Sequence, residues 1–504
     1  MATQSTCAAA AFMWLPIAIS CVPQQPRTAP VQGATADSAA VDSVVSALFA
    51  AGMAPGMSVA VVRGSEITYL RGFGYADREE GRAATPETIF YIASTTKAFT
   101  GLAAAILHQR GRFDLDAPLS RYLPEVRLQA PLSPDSITLR SLLTHTHGIG
   151  GGDGPVVWRT AFTGEFTSNE ELVALLAEHP PASGGRAYAY GNLGYNVASL
   201  AMDRALGRSW KDVLEVEIFR PLGMTSTTAY VSRIPASRLA MPYVVDGSGF
   251  RRTHYGKADS NMQAAGGLVS SAGDMARWLE AQLNAGRVDG RQALPAAAVA
   301  EAQRIQASAN LMQRGMRQIG YSLGWQVVLR GTDTAYVHGG GFTGFATHVS
   351  FLPRERLGVV VMANENALGG GLVDLVAGAI YTRLLGSAGG ADVPGGSEGQ
   401  IARARQSIAA ERTRRAARSQ VLPYPLAAYE GAYHNPAYGT IELRLVNGRL
   451  EARAGVARSD VEVYDAVQNQ LRVELTGSGS VVAVQMEGGR AASLTMAGRT
   501  FVRR

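Results

Sequence analysis

Two residues three positions apart define the chemistry to look for. Ser94 and Lys97 lie in Tyr91-Ile92-Ala93-Ser94-Thr95-Thr96-Lys97, where the extended-looking residues 88–92 give way to helical spacing in Ala98, Phe99, Leu102, Ala105 and Ile106. Ser94 is of a type that starts helices well. Residues three apart share a helix face, so the lysine amine can approach the serine hydroxyl. That hydroxyl is a weak nucleophile until a neighbour takes its proton, and a lysine can take it only as the neutral amine. Burial and the positive end of a helix both favour the neutral form. Arginine could not serve, because it keeps its proton. The chain has three lysines, Lys97, Lys211 and Lys257, among 47 basic residues. Lysine at position 97 therefore stands against a strong preference for arginine. A Ser-x-x-Lys pair on its own is still modest evidence, and other residues must converge on it.

Two later stretches offer partners. Tyr190 and Asn192, in Tyr188-Ala189-Tyr190-Gly191-Asn192, stand just before a helical pattern. A phenol can relay a proton to a leaving group, and an amide can hold a substrate carbonyl or the lysine. His338-Gly339-Gly340-Gly341 comes at the end of a strand pattern. Glycines let a backbone approach a ligand closely, and an N–H from this run, paired with that of Ser94, would form an oxyanion hole. Taken singly, each stretch reads more readily as a Gly-bearing loop or hairpin. His145-Thr146-His147 offers a pair of metal ligands with no evident third, so a structural role is expected and no metal.

The elements that must position these residues follow from periodicity. Residues 38–53 read as an amphipathic helix, and 56–62 and 66–75 as strands joined at Gly64-Ser65. The helix after Ser94 ends near Gly111. From 113 to about 319 the pattern is mainly helical, most clearly at 138–143, 170–178, 194–206, 211–218 and 273–283. Strands return at 321–329, 334–338, 345–352 and 357–363, and a helix follows at 372–385. Strands at both ends with helices between predict an α+β fold: one antiparallel sheet built from the two ends, the terminal helices packed on it, and a helical region inserted. Residues 440–446, 471–476, 481–486, 492–496 and 500–502 read as short strands of a small all-β barrel. The predicted organisation is a leader at 1–36, a sheet-and-helix domain at 37–386, a Gly-rich then Arg-rich linker at 387–425, and the β domain at 426–504.

The chain is 46% apolar and 17% charged, a globular composition long enough for two cores. Its net charge of +6 is concentrated in residues 401–420, which hold six arginines and one glutamate. That is a local basic linker, so no nucleic-acid partner is expected. Residues 7–22 form an apolar run too short for a membrane span, as in the core of an export signal, although no Lys or Arg precedes it. Ser20-Cys21 after Ala18-Ile19 resembles a lipoprotein processing site, which would leave a lipidated, membrane-attached Cys21. Ala34-Thr35-Ala36 offers the competing cleavage site. Either way the chain is expected outside the cytoplasm, periplasmic or extracellular. Both cysteines, Cys7 and Cys21, lie in this leader, so the folded part can hold no disulfide or thiolate metal site. Gly395-Gly396-Ser397-Glu398-Gly399 fits the Gly-x-Ser-x-Gly elbow of other hydrolases, but that elbow must follow a buried strand, and residues 388–396 have almost no apolar side chains.

Together the three catalytic-looking stretches resemble the serine β-lactamase and penicillin-binding-protein superfamily, nearest its class C-like branch with D-aminopeptidases and family VIII esterases. The order Ser-x-x-Lys, Tyr-x-Asn, His-x-Gly is that of the superfamily. So are Phe73-Gly74-Tyr75-Ala76-Asp77, the run Ile137-Thr138-Leu139-Arg140-Ser141-Leu142-Leu143-Thr144-His145-Thr146, Pro221-Leu222-Gly223-Met224 and Gly266-Gly267-Leu268. The resemblance covers about 38–386. It implies a β-lactamase-like fold, with Ser94 as the acylated nucleophile, Lys97 as its base and Tyr190 as the proton shuttle. Asn192 would orient the site. His338 would stand where many β-lactamases carry lysine, Gly340 would line the substrate, and the N–H groups of Ser94 and Gly341 would be the oxyanion donors. How Lys97 and Tyr190 divide the base role stays open. No cofactor is implied. A histidine is a weaker, pH-dependent cation, which favours an amidase, peptidase or esterase acting on a small-molecule or peptide substrate. A β-lactamase and a non-catalytic penicillin-recognising envelope protein are the alternatives. Tyr429-Glu430-Gly431-Ala432-Tyr433 and Tyr438-Gly439 resemble the lipocalin-like β domain attached to some of these hydrolases.

Overall fold

The computed structural model describes residues 36–504 except 153, 247–248, 314–315, 332, 387–395, 420 and 478. The expected leader, with Cys7 and Cys21, and the Gly-rich part of the expected linker, with the first residue of the Gly-x-Ser-x-Gly pattern, lie outside the described residues.

The N-terminal domain is framed by nine antiparallel strands: β1 (Gly56–Arg63), β2 (Glu66–Asp77), β3 (Arg82–Ala83), β4 (Ala307–Gln313), β5 (Met316–Tyr321), β6 (Gln326–Arg330), β7 (Asp333–Phe342), β8 (Phe345–Leu352) and β9 (Leu357–Ala363). Their spatial order is β4-β5-β6-β7-β8-β9-β1-β2-β3. The first strand therefore pairs with the last, Met57 opposite Ala363 and Arg63 opposite Leu357. This is the predicted sheet built from the two ends. Leu357-Gly-Val-Val-Val-Met-Ala shows no polar alternation because both faces of β9 are covered. Val359 and Val361 pack with helices α1 (Ala36–Phe49) and α6 (Gly369–Leu385), whereas Val360 and Met362 pack with α2 (Thr96–Gln109) and α5 (Ala272–Leu283). Asn364 locks the closure: its amide oxygen accepts from Gly56 N–H at 2.7 Å and its amide donates to Tyr75 O at 3.1 Å. Glu365, fully buried, accepts from the N–H groups of Ala367, Leu368 and Gly369 at the start of α6.

Three sequence readings need correction here. The long strand expected at 321–329 is two strands, β5 and β6, because Ser322 to Trp325 make a turn with Gly324 at φ +97°. Residues expected to be helical up to 319 include β4 and most of β5, which form an edge hairpin. The strand expected to stop at His338 runs on through the glycines to Phe342.

The inserted region is helical and includes α3 (Leu139–Leu143) and α4 (Leu193–Leu206). Thr138 caps α3 reciprocally with Ser141. Helix α2 is buried from Thr96 through Leu107, which makes it the central helix of this core.

The C-terminal domain is a second antiparallel sheet of nine strands, curled into a nearly closed barrel. They are β10 (Gly431–Asn435), β11 (Gly439–Val446), β12 (Arg449–Ala454), β13 (Ala457–Asp460), β14 (Glu462–Asp465), β15 (Gln470–Val473), β16 (Ser480–Glu487), β17 (Arg490–Met496) and β18 (Arg499–Arg503). The order β13-β12-β11-β10-β18-β17-β16-β15-β14 places the first and last strands side by side at its centre. Trp158 of the N-terminal domain belongs to the barrel's apolar core, and its indole donates to Tyr438 O at 2.9 Å. Arg159 donates to the carbonyls of Ala437 and Pro436. The barrel is thus docked on the inserted region. The arginine-rich stretch is largely helix α7 (Gly396–Ala416). Its Ile401, Ala404 and Ile408 pack with α1 and α6, and Arg415 pairs with Glu462 and Glu474 of the barrel. No helix among the described residues is long and apolar enough to cross a membrane.

Candidate active site

The chain reaches Ser94 from a two-stranded pairing, Phe90–Tyr91 with Val269–Ser270. It then makes a short 3-10 turn, Ala93–Thr95, before α2 begins. Ala93 sits in this turn at φ +46°, a left-handed conformation uncommon for alanine, and is 1% exposed. Thr95 rather than Ser94 takes the N-cap position, and no side chain caps the helix. The extra turn moves the helix start two residues beyond Ser94 and leaves the serine half-buried, its hydroxyl facing Lys97.

Lys97 is fully buried. Its Nζ lies 3.2 Å from Ser94 Oγ, 2.8 Å from Asn192 Oδ1 and 2.8 Å from Ala265 O. All three are neutral. The ring centroids of Tyr190 and Tyr195 stand 5.0 and 5.6 Å away. Burial with no carboxylate to balance it pushes the ammonium down to about 7. A substantial share of the lysine is therefore the free amine near neutrality. Asn192, at the start of α4, spends its amide oxygen on the lysine; of the two uses open to it in the sequence, the structure shows this one.

Tyr190 is half-exposed, 43%. His338 is 1% exposed in β7, its ring 5.9 Å from that of Tyr190. Its Nδ1 is 2.9 Å from Gly339 O, which accepts the Nδ1 proton, and its Nε2 is 3.5 Å from the Tyr321 hydroxyl. Gly340 marks where β7 passes the segment leading to Ser94: a Cβ there would fall 2.1 Å from Ile92 O, whereas one on Gly341 would meet nothing within 4 Å. The strand thus runs in backbone contact with the segment leading to Ser94, and Gly341 faces open space.

The structure brings Ser94, Lys97, Asn192 and Tyr190 together, with β7 and its His338, Gly340 and Gly341 alongside. Sequence reasoning missed Ala265, whose carbonyl is one of the three groups holding the lysine. The nearby Gly266-Gly267 was noticed only as a family segment. A Cβ on Gly266 would lie 2.9 Å from Met262 Cε and 3.6 Å from Ala93 C, so the loop packs close against the turn that carries Ser94. His147 Nδ1 accepts from Ile149 N–H and His145 Nδ1 from Gly191 N–H. Among the described residues, His108, Asp114 and Asp116 lie close enough to share an ion, but Asp116 is already held by two nitrogens of Arg140.

The barrel also reaches this region. A Cβ on Gly477 would fall 1.6 Å from Thr343 Oγ1, two residues beyond Gly341. His254 Nε2 lies 2.7 Å from Arg458 O.

This chain belongs to the beta-lactamase family, whose model matches residues 41–379. It is similar to Protein flp of Staphylococcus aureus, 24% identical over 330 residues, which are 65% of this chain and 63% of that protein. It is also similar to Esterase EstB of Burkholderia gladioli, 36% identical over 193 residues, 36% of this chain and 48% of the esterase. The chain thus spans less than two thirds of the length of these curated relatives. Among solved structures, the octameric penicillin-binding protein homologue from Pyrococcus abyssi superposes with a TM-score of 0.56 at 20% identity, covering 92% of this chain and 99% of that one. D-amino acid amidase from Ochrobactrum anthropi SV3 superposes with a TM-score of 0.58 at 22% identity, covering 70% and 100%. At these identities the superpositions speak for the fold.

Proposed function

We propose that this protein is a serine hydrolase that forms an acyl-enzyme through Ser94 on a small amide, peptide or ester. The observation that carries this reading is the buried Lys97 amine, 3.2 Å from Ser94 Oγ and held otherwise only by neutral groups. A base must be able to lose its proton, and no carboxylate holds this one in its charged form. In the proposed cycle the neutral Lys97 takes the Ser94 proton as Oγ attacks the substrate carbonyl. The oxyanion is received by the N–H groups of Ser94 and Gly341. Tyr190, half-exposed and beside the lysine, hands its phenol proton to the leaving group as the carbon–heteroatom bond breaks and takes the proton held by Lys97 in exchange. A water then attacks the ester carbonyl and gives a proton to Lys97 along the same route; that proton returns to Ser94 Oγ as the C–Oγ bond breaks and the acid leaves.

The substrate preference rests on His338. A β-lactam or a peptide C-terminus presents a carboxylate, which a permanent cation at the third motif would suit. Here a buried histidine, not a permanently charged side chain, stands in its place. We therefore place amino-terminal D-residue amides and short esters first among candidate substrates, and the similarity to Esterase EstB supports the ester class. Export belongs to the same proposal: the mature protein would begin at a lipidated Cys21 or at Asp37, and its N-terminal mass distinguishes the two.

The test is intact mass after incubation with a fluorophosphonate probe, and separately with a penicillin, beside Ser94→Ala. Wild type should gain one probe mass and the variant none. Labelling of the variant, or full turnover by it, would overturn the reading. Rapid hydrolysis of the penicillin would leave Ser94 in place but move the substrate class to β-lactams.

A further inference from the structure

His145 has no part in the cycle above, yet it is a buried titratable group beside it. It follows α3 with φ +60°, a left-handed backbone, and is 1% exposed. Four tyrosines surround its ring, with centroids at 4.7 Å for Tyr190, 4.7 Å for Tyr321, 5.4 Å for Tyr195 and 5.9 Å for Tyr188. Two hydrogen bonds tie it to the chain on either side of Tyr190. Ala189 N–H donates to His145 O at 3.0 Å, and Gly191 N–H donates to His145 Nδ1 at 3.4 Å. The left-handed turn is what lets one residue present its carbonyl and its ring to the same short segment.

Tyr190 needs such a hold. It is 43% exposed and is followed by a glycine, so its own burial does little to fix it. Nδ1 can accept only while the ring is neutral, with the proton on Nε2. That Nε2 is buried and makes no hydrogen bond. An unmade bond of this kind is destabilising, and an apolar side chain would avoid it; the imidazole supplies the acceptor for Gly191 in exchange. Burial first, then the positive charge of Lys97 and the nearby His147 and His338, push His145 well below 6.5. The ring therefore stays an acceptor wherever Lys97 can act as a base.

We infer that His145 is a positioning residue for Tyr190, clamping Ala189 and Gly191 so that the phenol is held where it can protonate the leaving group. This rests on the reading of Tyr190 as the proton carrier, and the experiment separates the two. Ethyl butyrate and p-nitrophenyl butyrate give the same acyl-enzyme, but only the ethoxide leaving group needs a proton. For Tyr190→Phe, kcat/KM should fall about 10²-fold on the ethyl ester and within about fivefold on the nitrophenyl ester. His145→Phe, which keeps a ring and loses the acceptor, should show the same selective loss, about 30-fold. His145→Asn, whose amide oxygen can take the place of Nδ1 and which tolerates the left-handed backbone, should retain most activity on both. Adding His145→Phe to Tyr190→Phe should cost less than a further twofold.

Equal losses on both esters in His145→Phe, or multiplying losses in the double variant, would overturn the proposal alone. Equal losses in Tyr190→Phe itself would overturn the reading of Tyr190, and the clamp's purpose with it. Should His145→Phe fail to fold, nitrogen NMR of the wild-type histidines decides. The expectation is an unprotonated Nδ1 and a protonated Nε2 that do not titrate between pH 5 and 9. A titrating ring, or the opposite tautomer, would overturn it.

Discussion

Two serines on opposite sides of one sheet invite comparison. Ser350 lies in β8 with its Oγ 2.8 Å from His348 Nε2, and His348 Nδ1 is 2.7 Å from Asp374 Oδ1 on α6. By distance alone this is the Ser-His-Asp arrangement of many hydrolases. Ser94, with its lysine at 3.2 Å, looks weaker. The surroundings reverse that order. Ser350, His348 and Asp374 are 1%, 5% and 6% exposed. Ser350 sits in regular extended backbone, paired with Val337 and Val359, and its Oγ is also 2.9 Å from the Tyr381 hydroxyl. The cavity beside them, about 30 Å3, has room only for water. Ser94 stands half-buried on a strained turn, next to a strand whose Gly341 faces open space. Short hydrogen bonds identify a chain of partners; access, a bent backbone and a base free to deprotonate make a nucleophile.

The contrast can be broken most sharply at the serines themselves. Ser94→Ala should lower turnover by at least about 10⁴-fold with an unchanged melting curve, whereas Ser350→Ala should keep turnover within about twofold. A large loss of activity in folded Ser350→Ala would mean that the wrong serine has been chosen. Next come the bases. Lys97→Met should cost about 10³-fold in kcat/KM. In the wild type, kcat/KM should rise with pH and level off above about 7, because the free amine is the active form and burial sets its titration there. An activity that falls through the same range would require a protonated lysine and sink the base assignment.

A smaller effect is expected from the glycines of β7. Gly340→Ala puts a methyl 2.1 Å from Ile92 O and must push the strand away from the nucleophile turn, for about a 10²-fold loss. Gly341→Ala meets nothing within 4 Å and should stay within about fivefold. Equal effects would show that the strand does not set the site's geometry. Smallest in activity is Asp374→Asn, which removes the charge from the buried chain. It should destabilise by about 1–3 kcal/mol, read by denaturant melts, while the folded fraction turns over normally.

How much of this was legible in the sequence depends on what each feature is made of. Ser94, Lys97 and Asn192 are side chains with a fixed spacing, and the structure brings them together. Ala265 contributes a carbonyl, which every residue has, so no residue type advertised it. His145 was visible only as one half of a metal-like pair; its use depends on a left-handed backbone and four distant tyrosines. The edge strand β4, Ala-Ser-Ala-Asn-Leu-Met-Gln, has no β-branched residue and good helix formers, and only pairing with β5 makes it extended. In the barrel, β12 and β13 bury alanines, Ala452, Ala454 and Ala457, so the inside–outside alternation that marks a strand is faint there. The sheet of the N-terminal domain was easier, because Val and Phe recur along its central strands.

The closure of that sheet has a bearing on when the protein becomes active. Gly56 and Asn364, 308 residues apart in the chain, are hydrogen-bonded, and β1 has its partner β9 only after nearly the whole N-terminal domain has been made. Pairings this distant are slow to find and are the last reward of folding. During synthesis the hairpin β1–β2 and the Ser94 turn would exist without β7 beside them, so the strand proposed to complete the oxyanion hole would join Ser94 only at the final docking step. A chain arrested or cut before residue 338 would carry Ser94, Lys97, Tyr190 and Asn192 and still be catalytically silent.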